Sequence, residues 1–187
     1  MKKKMLLDIC CAPCASGIIE ELKEEFNLTL YFHNANVYPK KEWDKRFENA
    51  QKLAKQFNVP LLTDVKSYNK RHAQWKGAIR GFEDEKEGGK RCEKCFEYRL
   101  EKVSNNAKNK RFDIFATTLT ISPHKNAELI NKLGKQKAQE KKIEFYEADF
   151  KKNDGFKKSV EKSKELNLYR QIYCGCEYSI NKKEVRV

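Results

Sequence analysis

The seven cysteines of this 187-residue sequence fall into three groups: Cys10, Cys11 and Cys14 in "DICCAPC", Cys92 and Cys95 in "RCEKC", and Cys174 and Cys176 in "YCGCEYS". Inert cysteines behave as small apolar residues scattered through core strands, so this grouping points to ligands or redox groups. Cys92 and Cys95 stand three apart where a helix opens, a spacing that turns both thiols to one side and suits zinc or iron–sulfur ligation. A zinc ribbon would pair them with a second motif of the same kind. Their partner here is the adjacent pair Cys10 and Cys11, whose side chains diverge and suit a polynuclear object better than one tetrahedral ion. The pattern favours a [4Fe–4S] cluster bridging two loops, held by Cys10, Cys11, Cys92 and Cys95. In "YCGCEYS", Gly175 frees the chain for a turn that brings Cys174 and Cys176 within covalent reach. A disulfide over so few atoms would reduce easily and suit redox cycling; service as extra metal ligands is the alternative.

The elements that must position these groups alternate between strand and helix. "MLLDI" is a buried-type run, and the stretch from Gly17 carries Ile19, Leu22 and Phe26 at helical spacing before "LTLYFHNANV" turns extended. Trp43, Phe47, Ala50, Ala54 and Phe57 mark the next helical face, followed by the strand "VPLLTDV". Phe96, Leu100, Val103 and Ala107 mark another, leading into "FDIFATTL". A helix over residues 127–141, the strand "IEFYEADF" and a helix over residues 155–166 complete the order. Residues 67–89 read as irregular, and "EDEKEGGKR" as the most flexible segment. This alternation predicts one α/β domain over residues 1–187, an open, mainly parallel sheet with helices on both faces. Ligands of such sheets sit beyond the carboxyl ends of the strands, where "CCAPCASG" lies. A phosphate-cradling loop at that place would be Gly-rich, so the sequence suggests a nucleotide-type scaffold converted to metal binding and argues against ATP use. Thiolates there face a helix N-terminus, whose positive end favours them.

The formal net charge is +13, with 40 Lys and Arg against 27 Asp and Glu, a field that attracts polyanions and nucleic acid first among them. Much of the excess is Lys interleaved with Glu, as in "KKNDGFKKSVEKSKE", which also fits a solvated helical face. No run approaches a membrane span and the N-terminus lacks a secretory pattern, which together imply a cytoplasmic protein with no membrane partner. In that reducing compartment grouped cysteines are ligands or catalysts rather than staples.

"DICCAPC", "HNANVYPKKEWDKRF", "RCEKCFEYRL", "FDIFATTLTISPHKN" and "LYRQIYCGCEYS", in this order, resemble the cobalamin-independent epoxyqueuosine reductases of the QueH type over nearly the whole chain. The resemblance implies an adenine-nucleotide α-hydrolase-like (HUP-like, Rossmann-like) fold. It also implies an oxidoreductase that removes the epoxide oxygen of epoxyqueuosine at the wobble position of tRNA, with electrons from a donor the sequence does not identify. By the same carry-over Cys10, Cys11, Cys92 and Cys95 hold the [4Fe–4S] cluster, and Cys174 and Cys176 form the redox-active disulfide. Some members resemble proteins with an additional iron held by an acidic residue, and Cys14 stands at that position here. "HNANV" and "SPHKN" depart from the family's usual Asn-Pro-Asn loop and aromatic–Gln pair.

Proton donors to the departing oxygen are sought among Tyr173, His124 and Cys14. Arg170, Lys90 and Arg91 are candidate phosphate contacts, with Tyr173 also a substrate contact; Tyr38 and Tyr169 are candidates for stacking on a base, whereas Trp43 belongs to a helix stripe. Two rival readings are a zinc-containing RNA-binding module without catalysis and a thiol–disulfide oxidoreductase on the same scaffold. A tRNA thiolation enzyme would keep an ATP-binding loop that residues 8–17 lack.

Overall fold

The computed structural model describes residues 1–64 and 67–180. In chain order the elements are β1 (Lys4–Asp8), α1 (Ala12–Ser16), α2 (Ile19–Glu25), β2 (Asn27–Phe32), α3 (Lys40–Gln56), β3 (Leu61–Thr63) and α4 (Tyr68–Ala78). They continue with α5 (Lys90–Asn109), β4 (Ile114–Thr117), a 3-10 turn (Thr118–Ile121), α6 (Ala127–Lys141), β5 (Glu144–Phe145), α7 (Gly155–Glu165) and α8 (Glu177–Ile180). The five strands form one parallel sheet in the order β3-β2-β1-β4-β5.

Alternation along the strands sends side chains to two separate cores. Met5, Leu7, Leu28, Leu30, Phe32, Ile114 and Ala116 pack with α1, α2 and α3 on one face. Leu6, Tyr31 and Phe115 pack with Phe96, Leu100 and Val103 of α5 and Ile130 of α6 on the other. The sheet is therefore covered on both faces, as the alternating sequence requires.

Several boundaries differ from the sequence reading. The helix expected from Gly17 begins earlier and breaks in two: α1 lies inside the cysteine motif, and α2 starts at Ile19. Gly17 lets α7 approach, because a Cβ there would stand 2.8 Å from the Ser159 amide nitrogen. Residues 67–89 are not irregular throughout: α4 occupies Tyr68–Ala78, and its buried residues are Arg71, His72 and Trp75, which give no apolar stripe to read. The strand "VPLLTDV" shrinks to Leu61–Thr63, with Val65 outside the described residues. "IEFYEADF" contributes only Glu144–Phe145, at the edge beside β4. "EDEKEGGKR" is a series of turns pinned from inside, with Gly89 capping α5. Among the described residues no helix is long and apolar enough to cross a membrane.

Candidate metal and dithiol centre

In an open parallel sheet the connections leave in opposite directions at the switch point, here between β1 and β4, and open a crevice. Cys10 lies just past β1 at this crevice. The N-terminal turn of α5 brings Cys92 and Cys95 to it, and the 173–176 loop brings Cys174 and Cys176. All five line one cavity of about 190 Å³, with Trp75, Arg99 and His124 also on its walls.

Two halves of this site are tied by a buried ion pair. Arg99 of α5 donates from Nη2 to both carboxylate oxygens of Asp8 at 2.9 Å, and Thr117 Oγ1 donates to Asp8 at 2.8 Å. Burial opposes the Arg99 charge, but the facing Asp8 carboxylate and the neighbouring Cys10 and Cys95 sulfurs hold it in its charged form. Asp8 thus anchors the β1 end to the helix that carries the second cysteine pair.

The sulfurs are met by fixed donors. Gly88 N–H donates to Cys92 Sγ at 3.2 Å, Trp75 Nε1–H to Cys95 Sγ at 3.3 Å, and Thr118 Oγ1–H to Cys10 Sγ at 3.5 Å. Burial pushes the Cys92 thiol up and Cys95 up to about 11, so in the metal-free protein both hold their protons at neutral pH.

Cys11 and Cys14 are joined in the disulfide found among the described residues, Cys11 standing at the N-cap of α1. The pair expected to be redox-active, Cys174 and Cys176, stands here as two free thiols. The signal was present: Cys11-Ala-Pro-Cys14 is itself a CxxC whose helical turn sets the two thiols face to face. Cys10, Cys11 and Cys14 place their sulfurs within 4.8 Å of one another, a group able to hold a metal ion once the disulfide is reduced.

The 173–176 loop is shaped from two sides. Gly175 has φ +102, and a Cβ there would meet Val37 Cγ2 at 2.8 Å and Arg46 Nη1 at 2.9 Å. Arg46, buried in α3, donates from Nη1 to the Cys174 carbonyl oxygen and from Nη2 to that of Tyr173, both at 3.1 Å, while its Nε is held by Glu42 at 2.7 Å. A hydrogen bond from the Cys176 thiol holds Cys174 well below the usual thiol range despite its burial, and the same bond raises Cys176. Of the two, Cys174 is the sulfur more readily deprotonated, and the thiolate is the form that begins thiol–disulfide exchange.

The remaining sequence candidates divide. Lys90 is exposed at the start of α5. Arg91 is buried on the cavity wall, and its guanidinium donates to the carbonyl oxygens of Glu83 and Glu85, pinning the turn above the cavity. Arg170 is half-buried against α7, donating to Ser163 Oγ at 3.2 Å. Tyr173 donates its hydroxyl to the Tyr38 carbonyl at 2.5 Å, and Trp43 is core. Sequence reasoning missed Asp8, Arg46, Trp75 and Arg99.

The family profile described as "Epoxyqueuosine reductase QueH" matches residues 5–182. The chain belongs to the QueH family. Among QueH relatives, the epoxyqueuosine reductase of Streptococcus pyogenes serotype M1 is 39% identical over 181 residues, covering 96% of this chain and 71% of the relative. That of Thermotoga maritima is 34% identical, covering 94% of this chain and 90% of the relative. Among solved structures, the U34-tRNA thiolase NcsA from Methanococcus maripaludis with its [4Fe-4S] cluster aligns with TM-score 0.57 at 13% identity, over 95% of this chain and 61% of the thiolase. This likeness shows that the QueH chain shares its overall fold with the thiolase, in keeping with the open parallel α/β sheet expected from its sequence.

Proposed function

We propose that this QueH-family chain is a cytoplasmic epoxyqueuosine reductase, removing the epoxide oxygen of epoxyqueuosine in tRNA to give queuosine and water. The observation that carries the reading is the convergence of Cys10, Cys92, Cys95, Cys174 and Cys176 on one cavity, in a chain whose named relatives are epoxyqueuosine reductases. The four cysteines offered as ligands are all sulfur donors, which fits a [4Fe–4S] cluster held by Cys10, Cys11, Cys92 and Cys95. Cys11 joins that set when its disulfide with Cys14 is reduced, and Cys14 is then free to hold an additional iron. Bound there, the cluster supplies electrons singly and its iron can act as a Lewis acid.

The chain's own residues supply the rest. Opening an epoxide to an alkene and water consumes two electrons and two protons; closure of the Cys174–Cys176 dithiol releases the two electrons together with the protons its sulfurs still carry, and an acid at the site makes up the remainder. The Cys176 thiol favours deprotonation of Cys174, which makes Cys174 the sulfur readier to react. Of Tyr173, His124 and Cys14, His124 is the group on the cavity wall, at its exposed rim, and so the one placed to hand a proton to the departing oxygen. Exposed Lys90 and the basic field of the chain meet the tRNA backbone.

Anaerobically reconstituted protein with a low-potential reductant and tRNA carrying epoxyqueuosine tests the reading, nucleosides being measured by mass spectrometry. The expected result is conversion to queuosine, lost in Cys174→Ser and Cys176→Ser with iron content retained. No conversion by cluster-loaded wild type would overturn the assignment, and iron loss from the two serine variants would make these residues ligands instead.

A further inference from the structure

We propose that Trp75 sets the reduction potential of the iron–sulfur centre by donating its indole N–H to the Cys95 sulfur. This rests on the cluster reading above. Trp75 is fully buried in α4, with Nε1 3.3 Å from Cys95 Sγ. Indole offers one donor and no acceptor, and a buried donor left without a partner is costly, so the bond has no competitor among solvent molecules.

The ring cannot turn away. It stacks on His72 with centroids 5.3 Å apart and leans on Tyr178 at 6.2 Å. It also belongs to the apolar cluster that contains Cys176, against which Cys95 and Cys174 pack. The indole therefore packs beside Cys95 and the dithiol on the wall of their shared cavity. A hydrogen bond to a ligand sulfur draws electron density from it and favours the reduced, more negative state, which raises the potential. Gly88 N–H and Thr118 O–H act on Cys92 and Cys10 in the same sense. Trp75 is the donor that a substitution removes while leaving an aromatic ring in place.

Full-length wild type, Trp75→Phe and Tyr178→Phe are reconstituted anaerobically, assayed for iron and sulfide, and titrated with dithionite while the one-electron reduced signal is followed by electron paramagnetic resonance. Trp75→Phe should keep its iron and sulfide and move to a more negative potential by about 59 mV, tenfold in the one-electron equilibrium. Tyr178→Phe, which touches the same ring and removes a hydroxyl that makes no hydrogen bond to a cysteine sulfur, should keep the wild-type potential. An unshifted Trp75→Phe with full iron overturns the inference alone and leaves the cluster reading standing. Equal shifts in both variants, or loss of iron from Trp75→Phe, also overturn it by making the indole a packing residue. Wild type that takes up no iron and sulfide defeats the cluster reading and this inference with it.

Discussion

Replacing Arg99 by Met should separate the two halves of the cysteine site. Asp8 and Arg99 have side chains only 2% and 4% exposed, and Nη2 lies 2.9 Å from both carboxylate oxygens. Methionine keeps much of the volume but leaves the Asp8 carboxylate buried with only Thr117 as a donor. Breaking a buried pair from one side costs about 3–5 kcal/mol, a large share of the roughly 5–15 kcal/mol that stabilises a domain. The assay is urea unfolding of the metal-free protein under reducing conditions. The midpoint should fall sharply at unchanged slope, and Asp8→Asn in the Arg99→Met background should restore more than half of the loss. A fall below about 1 kcal/mol, or a double variant no better than the single, would refute the claim that this pair holds β1 to α5.

Gly175→Ala forces a β-carbon into a left-handed backbone and against Val37 and Arg46, a strain of about 1–3 kcal/mol. Turnover should drop with the dithiol loop displaced while iron content is kept, as read by nucleoside analysis beside an iron assay. Arg46→Met removes both carbonyl bonds that hold this loop, and should raise Cys174 alkylation by iodoacetamide at least severalfold, measured by peptide mass spectrometry. Burial lowers the His33 pKa against the opposing pull of Asp64, so the folded protein binds fewer protons at this site than the unfolded chain. Stability should therefore fall as pH drops from the unfolded histidine value, about 6.5, toward the lower folded value, and His33→Gln should flatten that part of the urea-midpoint profile.

How much of this could be read in the sequence depended on whether burial was apolar. The faces of α3 and α5 carry Trp43, Ala50, Leu53, Leu100 and Val103 at helical spacing, and both helices were legible. Helix α4 was not, because Arg71, His72 and Trp75 are what it buries. The cysteine groups declared themselves by spacing, and the turn at Gly175 followed from the glycine. Arg46, Asp8 and Arg99 did not. In a chain so rich in Lys and Glu, a single charged residue reads as solvated until a long-range partner is seen, and these partners lie far away in sequence. The Cys11–Cys14 pairing was obscured because Cys10, standing next to Cys11, drew the reading toward ligation.

The central claim is a sulfur-ligated cluster at the crevice between β1 and β4. Iron and acid-labile sulfide per chain, measured after anaerobic reconstitution with the Cys11–Cys14 disulfide reduced, test it most directly. Wild type should hold about four of each, with both lost in Cys92→Ser and Cys95→Ser. Stoichiometric zinc with neither iron nor sulfide would contradict it.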